Sequence, residues 1–155
     1  MCLGISLART ELPLELIARH GLDRCAHARG GEKEIQFLFR DRDPRLPVWQ
    51  DGQLQIMRWG NSHGQSRLLP RTGWTWQETI DSGGWKNLDA VPVDIPASLG
   101  FERGVWYRIR QGIRGLLVLD EQNSHVVYMI CEPSTHYYRV MTRSDRMPML
   151  IDEQI

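Results

Sequence analysis

Residue 2 of the chain is a cysteine, directly behind the initiator. Methionine aminopeptidases clear Met1 when the second residue is small. Removal leaves a thiol and an α-amine on adjacent carbons of Cys2. An aldehyde condenses with such an amine to an imine, and the thiol then closes on the same carbon to give a five-membered thiazolidine. The same pair also makes an N-terminal nucleophile, with the amine as its base. An α-amine titrates near pH ~8 and a thiol near ~8.5, so both groups are partly reactive at neutral pH. The plainer reading of the position is an incidental cysteine beside the initiator. The other thiols lie in Cys25-Ala26-His27 and Cys131…His136, spacings that fit no standard zinc pattern. There is no Walker A lysine motif and no G-x-G-x-x-G, so neither a metal nor a cofactor is implied.

A second set of residues suits a nucleic-acid backbone. Lys33 and Lys86 are the only lysines among 19 basic residues, and the rest are arginine. The planar fork of arginine fits phosphates, carboxylates and aromatic faces, although a GC-rich genome explains the bias equally well. Arg103, Arg108, Arg110 and Arg114 face one acid, Glu102, within residues 102–114. Arg108 and Arg110 alternate along an expected strand and so share a face. Arg139, Arg143 and Arg146 form another group, and Arg58 stands beside Trp59. Trp59, Trp74 and Trp76 are the candidate platforms for stacked bases. Against these, Trp59 and Trp106 also read as core. The 19 basic residues are balanced by 19 acids, and zero net charge excludes a binder held to nucleic acid by bulk charge alone.

The elements that must position these groups are mostly strands. With 155 residues, 41% of them hydrophobic and 25% charged, one globular domain is expected over 1–155. A helix is expected over Leu12–His20, capped by Thr10 and stopped by Gly21. Strands are expected at 34–39 and 54–59, with 41–47 as a loop. The irregular stretch from Gly60 to Gly100 carries three tryptophans and a short expected helix at 76–80. Runs at 105–110, 116–119, 126–131 and 137–142 have the length and spacing of an antiparallel meander. The fold class is therefore α+β, with a curved, largely antiparallel, barrel-like sheet and a few short helices. No apolar run is long enough to span a membrane, and the N-terminus lacks the pattern of a signal peptide. Three cysteines without such a signal read as reduced thiols in the cytoplasm.

Leu46-Pro47-Val48…Gln55-Ile56-Met57-Arg58-Trp59-Gly60 resembles the SOS response-associated peptidase (SRAP) family, which begins Met-Cys-Gly-Arg and carries Pro-Val leading to Arg-Trp-Gly. Ile95-Pro96-Ala97-Ser98-Leu99-Gly100-Phe101-Glu102 is similar to the family's Ile-Pro-Ala-Asp-Gly-Phe-Tyr-Glu and puts Glu102 on its catalytic Glu. Ser144-Asp145-Arg146-Met147-Pro148 falls on the family's His-x-Arg-Met-Pro. These islands run in order across nearly the whole chain. The resemblance implies an SRAP-like fold, binding of single-stranded DNA, and trapping of abasic sites by a thiazolidine crosslink through Cys2. In that frame Cys2 is nucleophile and imine donor, and Glu102 the acid–base group. Arg58, Arg108, Arg110 and Arg146 face phosphates, and Ser144 lies at the DNA. A monomer without metal is expected.

The departures are specific. The family's Asn-Ala-Arg-x-Glu-Thr reads Trp74-Thr75-Trp76-Gln77-Glu78-Thr79, so both Asn and Arg have become Trp. The family His is Ser144, which cannot transfer protons as an imidazole does near neutral pH. Asn61 and His136 are candidate relocated helpers. The alternatives to a crosslinker are a DNA-binding remnant without catalysis and an unrelated thiol hydrolase with an N-terminal nucleophile. The crosslinking reading predicts that Cys2 and Glu102 share one cleft beside Trp59 and the Arg-Met-Pro segment.

Overall fold

The structure is a computed structural model that describes residues 2–155; the expected removal of Met1 falls outside the described residues. In chain order the strands are β1 (Gly4–Ala8), β2 (Ala26–Arg29), β3 (Glu32–Leu38), β4 (Arg45–Gln50), β5 (Gln53–Trp59) and β6 (Trp74–Trp76). They continue as β7 (Val91–Pro96), β8 (Leu99–Glu102), β9 (Val105–Arg108), β10 (Gly112–Leu119), β11 (His125–Pro133) and β12 (Arg146–Pro148). The helices are short: α1 (Leu14–His20), α2 (Gln77–Asp81) and α3 (His136–Thr142).

Two sheets carry the fold. One is antiparallel throughout, in the order β2-β3-β1-β8-β9. The other runs β10-β7-β4-β5-β11 and closes into a five-stranded barrel because β10 also pairs with β11. Only β5 meets β11 in parallel within that ring. Strands β6 and β12 lie along β11 outside it. The molecule is α+β with a curved, largely antiparallel, barrel-like sheet, as expected from the sequence. Ile5, Ile35 and Phe37 from the first sheet pack into one core with Leu46, Val48, Ile95, Ile113 and Val127 from the barrel.

Close approach of strands explains β1, a segment with no alternating pattern to announce it. A Cβ on Gly4 would stand 2.5 Å from Leu38 Cδ2 and 3.1 Å from the Phe37 carbonyl oxygen. Only glycine lets β3 lie this near. Strand β4 begins inside the expected loop at 41–47. Pro47 pairs with Ile56 of β5, whereas the ladder to β7 is made only at Trp49, so the missing N–H of Pro47 breaks no bond on that side.

The expected strand at 137–142 is a helix. The side chain of Thr135 accepts a hydrogen bond from the Tyr138 N–H at 3.1 Å and caps it. Burial follows the helical period, with Tyr138 and Thr142 inside and Tyr137 and Val140 outside. The aromatic and β-branched composition of this run was the misleading signal. Expected strand 105–110 ends at Arg108, and expected helices 12–20 and 76–80 are observed at 14–20 and 77–81. No described helix is long and apolar enough to cross a membrane.

Candidate active site around Cys2

Strands β8 and β9 are joined through Arg103-Gly104, whose φ values of 46° and 82° make the two-residue turn that suits a twisted hairpin. The turn fixes Glu102 at the tip of β8. The chain enters β1 beside it: the Leu3 N–H donates to the Phe101 carbonyl at 2.7 Å. Residues 100 positions apart therefore meet at the start of one strand and the end of its neighbour.

Both side chains are sealed from water, Cys2 at 1% exposure and Glu102 at 2%. They lie together but not in an open cleft. The Cys2 thiol donates to the Gly4 carbonyl at 3.0 Å, and the Cys2 carbonyl accepts the Trp74 indole N–H at 3.0 Å. The Tyr107 side chain is a buried neighbour of the Cys2 thiol. Behind it, the Tyr138 and Tyr107 hydroxyls share a hydrogen bond at 3.1 Å. Gly100 makes room for this: a Cβ there would stand 2.5 Å from the Tyr107 ring. Strand β9 supplies Tyr107 and helix α3 supplies Tyr138, and the turn ties the two together, because Arg103 donates to the Arg143 carbonyl at 2.9 Å.

Burial dominates the electrostatics. It pushes the Cys2 thiol up, against Tyr107 and the backbone, and the Glu102 charge adds to the rise. Burial likewise raises the Glu102 carboxyl, and Arg103, with Nε 3.8 Å from Glu102 Oε1, pulls only partly the other way. Tyr107 is driven far above the ordinary range of a phenol, so it stays protonated. The resting site holds an uncharged thiol, a carboxyl inclined to keep its proton, and two tyrosines hydrogen-bonded to each other.

The remaining expected residues scatter. Trp59 is 1% exposed and donates its indole N–H to the Gly73 carbonyl at 3.0 Å. Trp59 and Trp74 enclose Phe39, with ring centroids 5.0 and 4.4 Å from it, so both are packed as core and neither offers an open face to a base. Arg58 donates to Asp120 at 3.0 Å and braces the turn between β10 and β11. Arg146 lies over the half-buried Trp76 ring at 5.2 Å. Ser144 is buried and donates to the Arg146 carbonyl at 2.9 Å, fixing the chain where β12 begins.

Arg108 and Arg110 do come together, in a cleft of about 550 Å³ with Arg29 and Lys33 on the outer face of the first sheet. Glu34 neutralises part of that charge through Arg29 at 2.9 Å, and Glu153 lies 3.5 Å from Arg110. Asn61 is spent on the Ser66 and Leu69 carbonyls at 3.0 and 2.9 Å, and His136 is exposed at the start of α3. Among the described residues no group of three His, Cys, Asp or Glu could hold a metal ion.

Sequence reasoning missed Tyr107 and Tyr138. Tyr107 had a readable signal, being the inward residue between Trp106 and Arg108 on a strand; Tyr138 was hidden by the strand assignment. No family model matches the chain, and a search of the curated proteins finds no match, so any assignment rests on the chemistry of this site.

Proposed function

We propose that the chain is an SRAP-like trap for abasic sites in single-stranded DNA, acting through Cys2 once Met1 is removed. The observation that carries the reading is the meeting of Cys2 and Glu102 at adjacent strand ends. The ring-opened abasic sugar presents an aldehyde. The Cys2 amine adds to it, and the carbinolamine loses water to form an imine; the Glu102 carboxyl, whose hold on its proton burial strengthens, can supply a proton to the departing hydroxyl. The sulfur then bonds to the former aldehyde carbon while the thiol proton passes to nitrogen, closing the thiazolidine. The cleft of Arg108, Arg110, Arg29 and Lys33 supports a phosphate-facing role on the same sheet. The protein acts as a cytoplasmic monomer, without metal or cofactor.

A second reading, a DNA-binding remnant that forms no crosslink, is favoured by Trp74. Its indole closes over the Cys2 carbonyl at the position where the family carries the nucleotide-holding Asn. Intact-protein mass spectrometry first establishes loss of Met1. Incubation with single-stranded DNA containing one abasic site then decides. A heat-stable adduct that is absent in Cys2→Ala is expected. DNA binding with no adduct from protein whose Cys2 amine is free overturns the trap in favour of the remnant.

A further inference from the structure

The solvent face of the first sheet is curled rather than flat. Strands β2 and β9 are its two edges, yet the Arg29 guanidinium of β2 lies 5.1 Å from the centre of the Trp106 ring of β9. Five flat strands would hold those edges about 19 Å apart. The curl explains why Ser6 and Glu34, which alternate with the core residues Ile5 and Ile35, are themselves buried. Glu34 accepts from Ser6 at 2.7 Å, from Gln36 at 2.9 Å and from Arg29 Nε at 2.9 Å. Its charge is committed to one edge of the Arg29 fork, and the two terminal nitrogens of that fork make no other bond among the described residues. Arg108 and Lys33 line the same cleft and form no ion pair among the described residues. Beside it, Phe101 and Trp106 pair across β8 and β9 with ring centroids 4.8 Å apart, both half-buried.

We infer that this curled face is a trough for one unpaired nucleotide of a single strand, whose base stacks on the Phe101–Trp106 pair and whose phosphate is gripped by Arg29, Arg108 and Lys33. The inference rests on the proposed binding of single-stranded DNA, and not on the crosslink. An arginine already aimed by a buried carboxylate and an aromatic ring loses little freedom when it takes a phosphate. Four cations line the cleft against two carboxylates, of which Glu34 is already engaged, so an anion is favoured. A volume of about 550 Å³ suits one ligand of nucleotide size. Only an unpaired base offers a ring face to the aromatic pair. Trp106, which the sequence also reads as core, takes the part expected of Trp59, Trp74 and Trp76. Phe101 directly precedes Glu102, so the platform lies at the strand end where Cys2 and Glu102 meet.

The test is fluorescence anisotropy of the full chain with a labelled oligothymidylate that contains no abasic site, so that only non-covalent binding is read. Arg108→Gln and Lys33→Gln remove exposed cations of the trough, and each is expected to weaken binding and to lower the slope of log affinity against log salt by about 0.7. Trp106→Leu is expected to weaken binding about tenfold with the slope unchanged, as loss of one stacked base would. Arg19→Gln, the same charge change on helix α1, is expected to leave both alone. A loss in Arg19→Gln equal to that in Arg108→Gln, or unchanged affinity in Arg108→Gln and Trp106→Leu, overturns the trough. So does duplex DNA bound as tightly as the single strand. Thymidine monophosphate bound as tightly as the oligonucleotide, and lost in the same variants, overturns the strand in favour of a free nucleotide. If Trp106→Leu does not fold, Arg108→Gln against Arg19→Gln decides. Adducts with abasic DNA are scored separately. Wild type that binds through the trough residues without forming an adduct refutes the trap alone. An adduct whose yield and non-covalent affinity ignore Arg108→Gln and Trp106→Leu refutes the trough alone.

Discussion

Trp74 holds the carbonyl of Cys2 with its indole N–H while its ring fills the space between Phe39 and Trp59. It thereby joins the candidate nucleophile to the core. Truncation should remove both a hydrogen bond and a large buried side chain. Trp74→Ala is expected to lower stability by about 3–5 kcal/mol in urea unfolding, and a loss below about 1 kcal/mol would show that the aromatic cluster is dispensable. Cys2 and Glu102 could be named as candidates from the sequence because a short ordered set of motifs resembles that of a known family. Their burial was not legible, since it depends on β1 and β8 meeting across some 100 residues. The approach of Tyr107 to Cys2 was invisible for the same reason: Cys2 leads into β1, whose pairing no local pattern records. Trp59 and Trp74 read equally well as platforms or core, and only packing separates the two.

Helix α3 owes its existence to one threonine more than to its composition. The run His136-Tyr137-Tyr138-Arg139-Val140-Met141-Thr142 is rich in residues that favour strands, yet the cap at Thr135 starts a helix and the burial of Tyr138 and Thr142 holds one face of it down. Thr135→Ala should cost about 1 kcal/mol by denaturant unfolding, and it should loosen Tyr138 first, raising amide exchange across 136–142 ahead of the barrel. Equal protection in both variants would refute the cap's role. Hairpins were the readable part of the fold: Asp51-Gly52 and the β10–β11 turn sit where the sequence places them, because turn residues announce themselves by type. Strands β1, β7 and β8 were not readable, since Gly4, Pro92, Pro96 and Gly100 interrupt any alternation, and each of these residues is explained only by the strand it lies against.

The whole molecule buries titratable groups of opposite consequence, and its stability should fall at both ends of the pH scale. At the acid end, burial alone would raise Glu34, but hydrogen bonds from Arg29, Gln36 and Ser6 outweigh it and leave the carboxyl below its ordinary value. A lowered carboxylate contributes stability that is present above the unfolded value and is lost as pH falls through the folded one. At the alkaline end, burial pushes the Cys131 thiol up to about 11 from an unfolded value of 9.0, and Cys2 is raised by the same cause. Below pH ~9 both states keep these protons and nothing is lost. Above it the unfolded chain ionises first, so stability declines until the folded thiol titrates, by about 3 kcal/mol for Cys131. Urea midpoints measured from pH 7 to 11 should fall, and the fall should be shallower in Cys131→Ala than in wild type once both are referred to their values at pH 7. An identical slope in the two proteins would move the alkaline loss to other buried groups, with Tyr107 and Tyr138 the first to examine by their ultraviolet titration.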